Sequence, residues 1–274
     1  MTQFKELNIS SEIMRAVEEM GYENATDIQA QSIPLIMEGK DVLGRSNTGT
    51  GKTAAFGIPA IESVDINGKL PQILIICPTR ELVTQVATEM RKFAKYKMGI
   101  KIVPVYGGQP IDRQIQLMKR GCSIIVGTPG RIMDHLNRHT LKLNDVKMVI
   151  LDEADEMLNM GFKEDIEEIL NKMPQDNEHQ TVLFSATMPP AILKITKEFQ
   201  KDPVSVEIKS AQRTIDTVEQ IYYDVPRGKK VNALRVLLNH YDPDLCMIFC
   251  NTKKMVDELC DELNRHDIKA ISLH

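Results

Sequence analysis

Seven short apolar runs recur along the chain: Asp41–Gly44, Gln72–Cys77, Lys101–Tyr106, Ser123–Val126, Lys147–Leu151, Thr181–Phe184 and Val204–Ile208. Several are β-branched and apolar at consecutive rather than alternate positions, the pattern of strands buried on both faces of a parallel sheet. Helix-length segments separate them, among them Arg80–Tyr96 and Lys163–Lys172. This alternation predicts an α/β fold built on a doubly wound, mostly parallel sheet.

The residues at the end of each run are informative. The first run leads into Arg45-Ser46-Asn47-Thr48-Gly49, the second into Pro78-Thr79-Arg80-Glu81 and the third into Gly107-Gly108. The next three lead into Gly127-Thr128-Pro129-Gly130-Arg131, Asp152-Glu153-Ala154-Asp155 and Ser185-Ala186-Thr187. Ligands of open α/β sheets bind beyond the carboxyl ends of the strands, so these six ends predict one long functional edge.

Residues 1–208 are therefore expected to form one domain, and the polar, aperiodic Lys209–Glu219 a linker. Beyond it the pattern predicts strands at Gln220–Val225, Cys246–Cys250 and Lys269–Leu273, with an amphipathic helix between the last two. One strand–helix–strand unit cannot bury both faces of a sheet. Residues 220–274 thus read as the opening of a second α/β domain.

Composition adds limits. The 274 residues are 42% hydrophobic and 26% charged, as in soluble globular proteins. No apolar run approaches the roughly 20 residues of a membrane span, and Met1–Ser10 lacks a signal-peptide layout, so a cytoplasmic protein without membrane contact is expected. The five cysteines form no CxxC pair and read as reduced packing residues, Cys246 and Cys250 included. His135 and His139 make an HxxxH, but without the accompanying Glu a polar helix end is the better reading than a metal site. A net charge of −4 argues against coating nucleic acid by bulk electrostatics, and the basic run Arg91–Lys97 reads as a solvated helix end. A monomer is expected.

Two motifs carry chemistry. Ser46-Asn47-Thr48-Gly49-Thr50-Gly51-Lys52-Thr53 comes directly after a strand and opens a helix. Its glycines let backbone N–H groups turn around phosphate oxygens, and the helix amino end adds favourable partial charge. Lys52 would reach the outer phosphates, and the Thr53 hydroxyl would bind Mg²⁺. Ser46 stands where the strict motif has Gly, a change a small residue tolerates. In Met148–Asp155, four apolar residues precede two adjacent carboxylates. Asp152 can hold a water ligand of Mg²⁺, and Glu153 can orient and deprotonate the water attacking a γ-phosphate. Together the motifs specify nucleotide hydrolysis.

With these residues in view, the chain resembles the DEAD-box ATP-dependent RNA helicases, most of all their general bacterial members. Asp152-Glu153-Ala154-Asp155, Pro78–Leu82, Gly107-Gly108, Thr128–Arg131, Ser185–Thr187 and Phe249–Thr252 occur in that family's order and at comparable spacing. The resemblance implies a RecA-like first domain, ATP as substrate, and RNA, single-stranded or locally duplex, as partner. It implies that Pro78, Thr79, Arg80, Gly107, Gly108, Thr128, Pro129, Gly130 and Arg131 hold the RNA backbone, joined from the second unit by Asn251 and Thr252. Such loops offer N–H groups and hydroxyls to phosphate and read no bases. It also implies that Ser185 and Thr187 bond towards Asp155 and relay nucleotide state.

At the amino end, residues 1–30, the resemblance assigns adenine recognition to Phe4, Tyr22, Thr26 and Gln29, with Phe4 stacking on the base and Gln29 pairing with it. Thr26-Asp27-Ile28-Gln29 is also a capping box in its own right. The family has prolines around that Thr where this chain has Ala25 and Asp27; Asp in a first helical turn is favoured by the helix dipole. Two other readings stand beside the helicase: a P-loop ATPase acting on DNA or protein, and a binding module that holds nucleotide without turning it over. The family's second domain supplies arginines that reach the γ-phosphate, and these would lie beyond His274. Residues 1–274 alone are therefore expected to bind adenine nucleotide weakly and to unwind nothing.

Overall fold

Each of the seven predicted runs becomes a strand of one parallel sheet. The computed structural model describes residues 2–47, 49–173, 179–208, 218–226 and 228–274, and the chain divides into two units, Met1–Ala211 and Gln212–His274. The strands are β1 (Val42–Arg45), β2 (Ile73–Ile76), β3 (Ile102–Val105), β4 (Ile124–Gly127), β5 (Met148–Leu151), β6 (Gln180–Ser185) and β7 (Val204–Glu207). The helices of this unit are α1 (Ser11–Glu19), α2 (Asp27–Met37), α3 (Lys52–Glu62), α4 (Arg80–Phe93) and α5 (Ile111–Lys119). They continue with α6 (Pro129–Asn137), α7 (Ala154–Asn159), α8 (Lys163–Asn171) and α9 (Pro190–Phe199).

The strand order is β3-β4-β2-β5-β6-β1-β7, with every neighbouring pair parallel. All carboxyl ends therefore lie on one edge, and β6 stands between the strand that ends at the glycine-rich loop and the strand that ends at the acidic pair. Side chains alternate between two cores. Ile73 and Ile75 of β2 join a cluster with α1 to α4, while Leu74 and Ile76 join one with α6 to α9. Each such burial contributes about 1.5–3 kcal/mol. In β1, Gly44 is required by its neighbour. A Cβ there would sit 2.3 Å from Cε1 of Phe184, whose buried ring packs on Phe56 at 5.7 Å.

In the second unit the described residues hold two helices, α10 (Lys230–Tyr241) and α11 (Lys253–Arg265). The strands expected at Gln220–Val225, Cys246–Cys250 and Lys269–Leu273 do not form. A strand needs a neighbour to accept its backbone hydrogen bonds, and these segments pair with none among the described residues. The expectation of buried thiols fails here for the same reason: Cys246 is exposed and Cys250 only half-buried. Phe249 is 88% exposed. Most of the expected linker, residues 209–217, lies outside the described residues, as does Thr48 of the glycine-rich loop.

Candidate nucleotide site and nucleic-acid interface

The glycine-rich loop begins where β1 ends. Ser46 is buried and its N–H donates to Ser185 O at 3.2 Å, tying the loop to the end of β6. Thr50 Oγ1 donates to Asn47 O at 2.9 Å and lies 3.0 Å from Ser46 Oγ, which closes the turn on itself. Gly49 and Gly51 take φ of +78° and +89°, the left-handed region that glycine enters without strain. Gly51 is doubly constrained, because a Cβ on it would sit 2.3 Å from Gln29 Nε2. It caps α3, so Lys52 and Thr53 occupy the first turn of a helix whose amino end faces the loop.

Lys52 is only 6% exposed, and its Nζ has no hydrogen-bond partner. Asp152, at the end of β5, is 3% exposed, and its Oδ1 is likewise unpartnered. Burial pushes the Asp152 carboxyl up to about 6, against the Lys52 charge, with Glu153 pushing the same way as burial. A buried ammonium and a buried carboxylate, both unsatisfied, are costly unless a ligand completes them. The donor set suits a phosphate chain at Lys52 and a hard divalent cation at Asp152 and Thr53, so the residues fit Mg²⁺-nucleotide. Glu153 adopts φ 52°, ψ 51°, left-handed for a non-glycine residue, and caps α7. Such strain persists where surrounding structure holds it, here the Asp152 N–H bond to Ile76 O at 3.0 Å.

Asp155 Oδ2 accepts from both Thr187 N (2.9 Å) and Thr187 Oγ1 (2.7 Å). Ser185 Oγ donates to Thr187 O at 2.6 Å, so Ser185 shapes the loop that Asp155 holds. Burial raises the Asp155 carboxyl, but hydrogen bonds from Thr187 and Ser185, with backbone N–H groups, outweigh it and hold the group below the usual carboxylate range.

Three further loops share this edge. Thr79 caps α4, accepting from Leu82 N at 3.2 Å behind the buried Pro78, and leaves Arg80 exposed. Gly107 and Gly108 are exposed, and Arg80 lies over the ring of Tyr106 at 5.4 Å. Thr128 precedes α6, with Pro129 in its first turn, Gly130 exposed, and Arg131 half-buried. Within the basic run Arg91–Lys97, Lys92 is exposed, while Arg91 bonds to Ile102 O, Lys95 and Tyr96 to Glu19, and Lys97 to Glu62. Asn251 and Thr252 belong to the second unit, where Thr252 caps α11 by accepting from Met255 N at 3.2 Å.

At the amino end the structure reverses one expectation. Phe4 is 1% exposed, buried in the core and stacked on Tyr22 with centroids 6.0 Å apart, so it has no face for a base. Tyr22 is the half-buried ring. The capping box forms: Thr26 N donates to Gln29 Oε1 at 2.9 Å, while Gln29 Nε2 donates to Gly51 O at 3.1 Å and Thr26 Oγ1 to Thr50 O at 2.9 Å. Gln29 keeps one amide N–H and one lone pair unused by these bonds.

Residues 26–195 match the DEAD/DEAH box helicase family. The chain belongs to that family. It is 49% identical over its whole length to the DEAD-box ATP-dependent RNA helicase CshA of Geobacillus kaustophilus and 48% identical over 271 residues to that of Bacillus subtilis. It covers 58% and 54% of those proteins, so the chain spans little more than half the length of these curated relatives. Among solved structures, a DEAD box protein from the hyperthermophile Methanococcus jannaschii is 42% identical, with a TM-score of 0.73, covering all of this chain and 73% of that one. The first unit is thus a RecA-like α/β domain of a DEAD/DEAH box helicase.

Within this helicase family member, the residues sequence reasoning missed are the buried polar ones. Gln114 and His135 are each fully buried. His135 is not the polar helix end expected, and His139 lies just past α6 with a left-handed φ of 53°. No group of three or more His, Cys, Asp or Glu side chains gathers around a common point among the described residues. A polar residue on the inward stripe of an amphipathic helix, Gln114 on α5 and His135 on α6, was the available signal.

Proposed function

We propose that this protein is an ATP-dependent RNA helicase that hydrolyses ATP while gripping RNA by its backbone, remodelling it locally rather than running along it. The observation that carries the reading is the buried, unpartnered pair of Lys52 Nζ and Asp152 Oδ1 beside the Gly51-capped helix. Residues 1–208 would be the ATP-binding domain and residues 220–274 the start of the second helicase domain, with Asn251 and Thr252 joining the RNA grip. The protein would work in the cytoplasm.

The adenine would stack on Tyr22, with Phe4 backing that ring. The free N–H and lone pair of Gln29 match the N7 acceptor and N6 donor of adenine, whereas guanine presents two acceptors there. Lys52 would neutralise the outer phosphates, and the loop N–H groups would hold them. Thr53 and Asp152 would hold Mg²⁺, which supplies positive charge to the phosphate oxygens when bound. Glu153 would orient the attacking water and take its proton. Asp155, through Thr187, would carry the state of the acidic pair to the loop after β6. The exposed Arg80 and the loops at Gly107, Gly108 and Thr128 to Gly130 would take phosphates.

Displacement of a fluorescent ADP analogue tests the nucleotide reading. ATP should compete and GTP should not, and Tyr22→Ala should weaken the analogue far more than the surface change Lys163→Ala. Equal competition by GTP would overturn the adenine assignment.

A further inference from the structure

Six side chains around the three RNA-facing loops form one hydrogen-bonded system. Gln114 Nε2 donates to Tyr106 O at 3.0 Å, next to the Gly107-Gly108 loop. Gln114 Oε1 accepts from Arg131 Nη1 at 3.2 Å and lies 3.0 Å from His135 Nε2. Arg131 Nη1 also donates to Gln109 O at 3.1 Å, on the far side of the glycine pair, and Gln109 Nε2 donates to the Tyr106 hydroxyl at 2.8 Å. His135 Nδ1 lies 2.8 Å from Thr140 Oγ1. Gln114 Oε1 can only accept, so His135 Nε2 carries the proton, and the one Thr140 hydroxyl hydrogen is shared between Nδ1 at 2.8 Å and the more distant His135 O at 3.1 Å. Every polar atom of the buried amide and imidazole is thereby used.

A buried glutamine and a buried histidine cost free energy that an apolar pair would not. Here they bridge α5 and α6 and fasten the carbonyls that flank Gly107 and Gly108. The Arg131 side chain is only 13% exposed and is spent on the same carbonyl and amide. Arg80 stacks over Tyr106, which links the loop after β2 to the same system.

We propose that Gln114 and His135 are positioning residues that lock the loops after β2, β3 and β4 into one geometry for the RNA backbone, with Arg131 acting as their brace rather than as a phosphate ligand. The inference rests on the reading of those loops as the RNA grip. Burial, helped by the nearby Arg131 charge, pushes His135 down to about 4, so the imidazole stays neutral and in one tautomer at ordinary pH.

The test measures, in the full-length protein, the affinity for fluorescein-labelled oligouridine with a non-hydrolysable ATP analogue present, and separately the affinity for a fluorescent ADP analogue. Gln114→Ala and His135→Leu should each weaken oligouridine binding about tenfold, the scale of one buried partner left unsatisfied. ADP affinity should stay unchanged, and His135→Gln, which keeps a donor near the Nε2 position, should restore most of the RNA affinity. Oligouridine binding unchanged in Gln114→Ala and His135→Leu, while Arg80→Ala weakens it, would overturn the positioning role and leave the loop reading standing. Parallel loss of ADP binding, or no rescue by glutamine, would reduce the network to a fold-stabilising one and also overturn it. If Arg80→Ala and Thr128→Ala leave oligouridine binding intact, the loop reading itself fails and the inference falls with it.

Discussion

Gly51 meets two demands at once, a left-handed φ of +89° and a 2.3 Å approach that only a missing side chain permits. Gly51→Ala is expected to cost about 1–3 kcal/mol in backbone strain and to displace Gln29 from the loop carbonyl. Its signature is lost binding of a fluorescent ADP analogue by a protein that still unfolds cooperatively in urea. His135 gives a prediction in pH. Its folded value, about 4, lies below the ordinary 6.5. Its contribution is therefore present above pH 6.5 and is lost as pH falls towards 4, because only the unfolded chain takes up the proton; the scale is about 2–3 kcal/mol. Urea midpoints at pH 7 and pH 5 should fall less for His135→Gln than for the wild type. Structural setting was legible where one short stretch holds the whole motif, as in the strand–loop–helix of Ser46–Thr53 and the strand end at Asp152-Glu153. It was illegible where partners come from different elements. Nothing local tells that Gln114 meets His135, or that Phe4 faces inward while Tyr22 stays half-buried.

At the scale of elements, the strands were readable because burial on both faces leaves runs such as Ile73–Ile76 with no polar position. The same signal misled in the second unit, where Cys246–Cys250 has the composition of a buried strand but no neighbour to pair with among the described residues. Strand formation is a property of the sheet, and the run alone does not supply it. Ile150 in β5 is fully buried, directly behind the acidic pair. Ile150→Ala should lower unfolding free energy by about 2–5 kcal/mol, read from urea denaturation. The bridge from α7 to the loop after β6 is narrower, since Thr187 donates to Asp155 Oδ2 through both its N–H and its hydroxyl. Thr187→Val removes one of these bonds, and RNA stimulation of phosphate release should fall while ADP affinity holds. Unchanged stimulation would show that the bridge carries no signal.

For the whole molecule, the sheet order determines what can cooperate. By standing between β5 and β1, β6 brings Ser185 to the glycine-rich loop and Thr187 to Asp155 on the helix that follows the acidic pair, so one strand end is bonded on both sides of the candidate nucleotide site. The loops after β2, β3 and β4 continue the same edge, so in the proposed reading the nucleotide and RNA surfaces lie side by side on one domain. No helix among the described residues is long and apolar enough to cross a membrane. In the proposed function, Glu153 drives ATP hydrolysis that RNA accelerates. Phosphate release by the full-length protein, with and without single-stranded RNA, tests it most directly. RNA-stimulated release from ATP that Glu153→Gln reduces to background, while ADP still binds, is the expected result; turnover that survives Glu153→Gln, or that RNA leaves unchanged in the wild type, would overturn the role of Glu153.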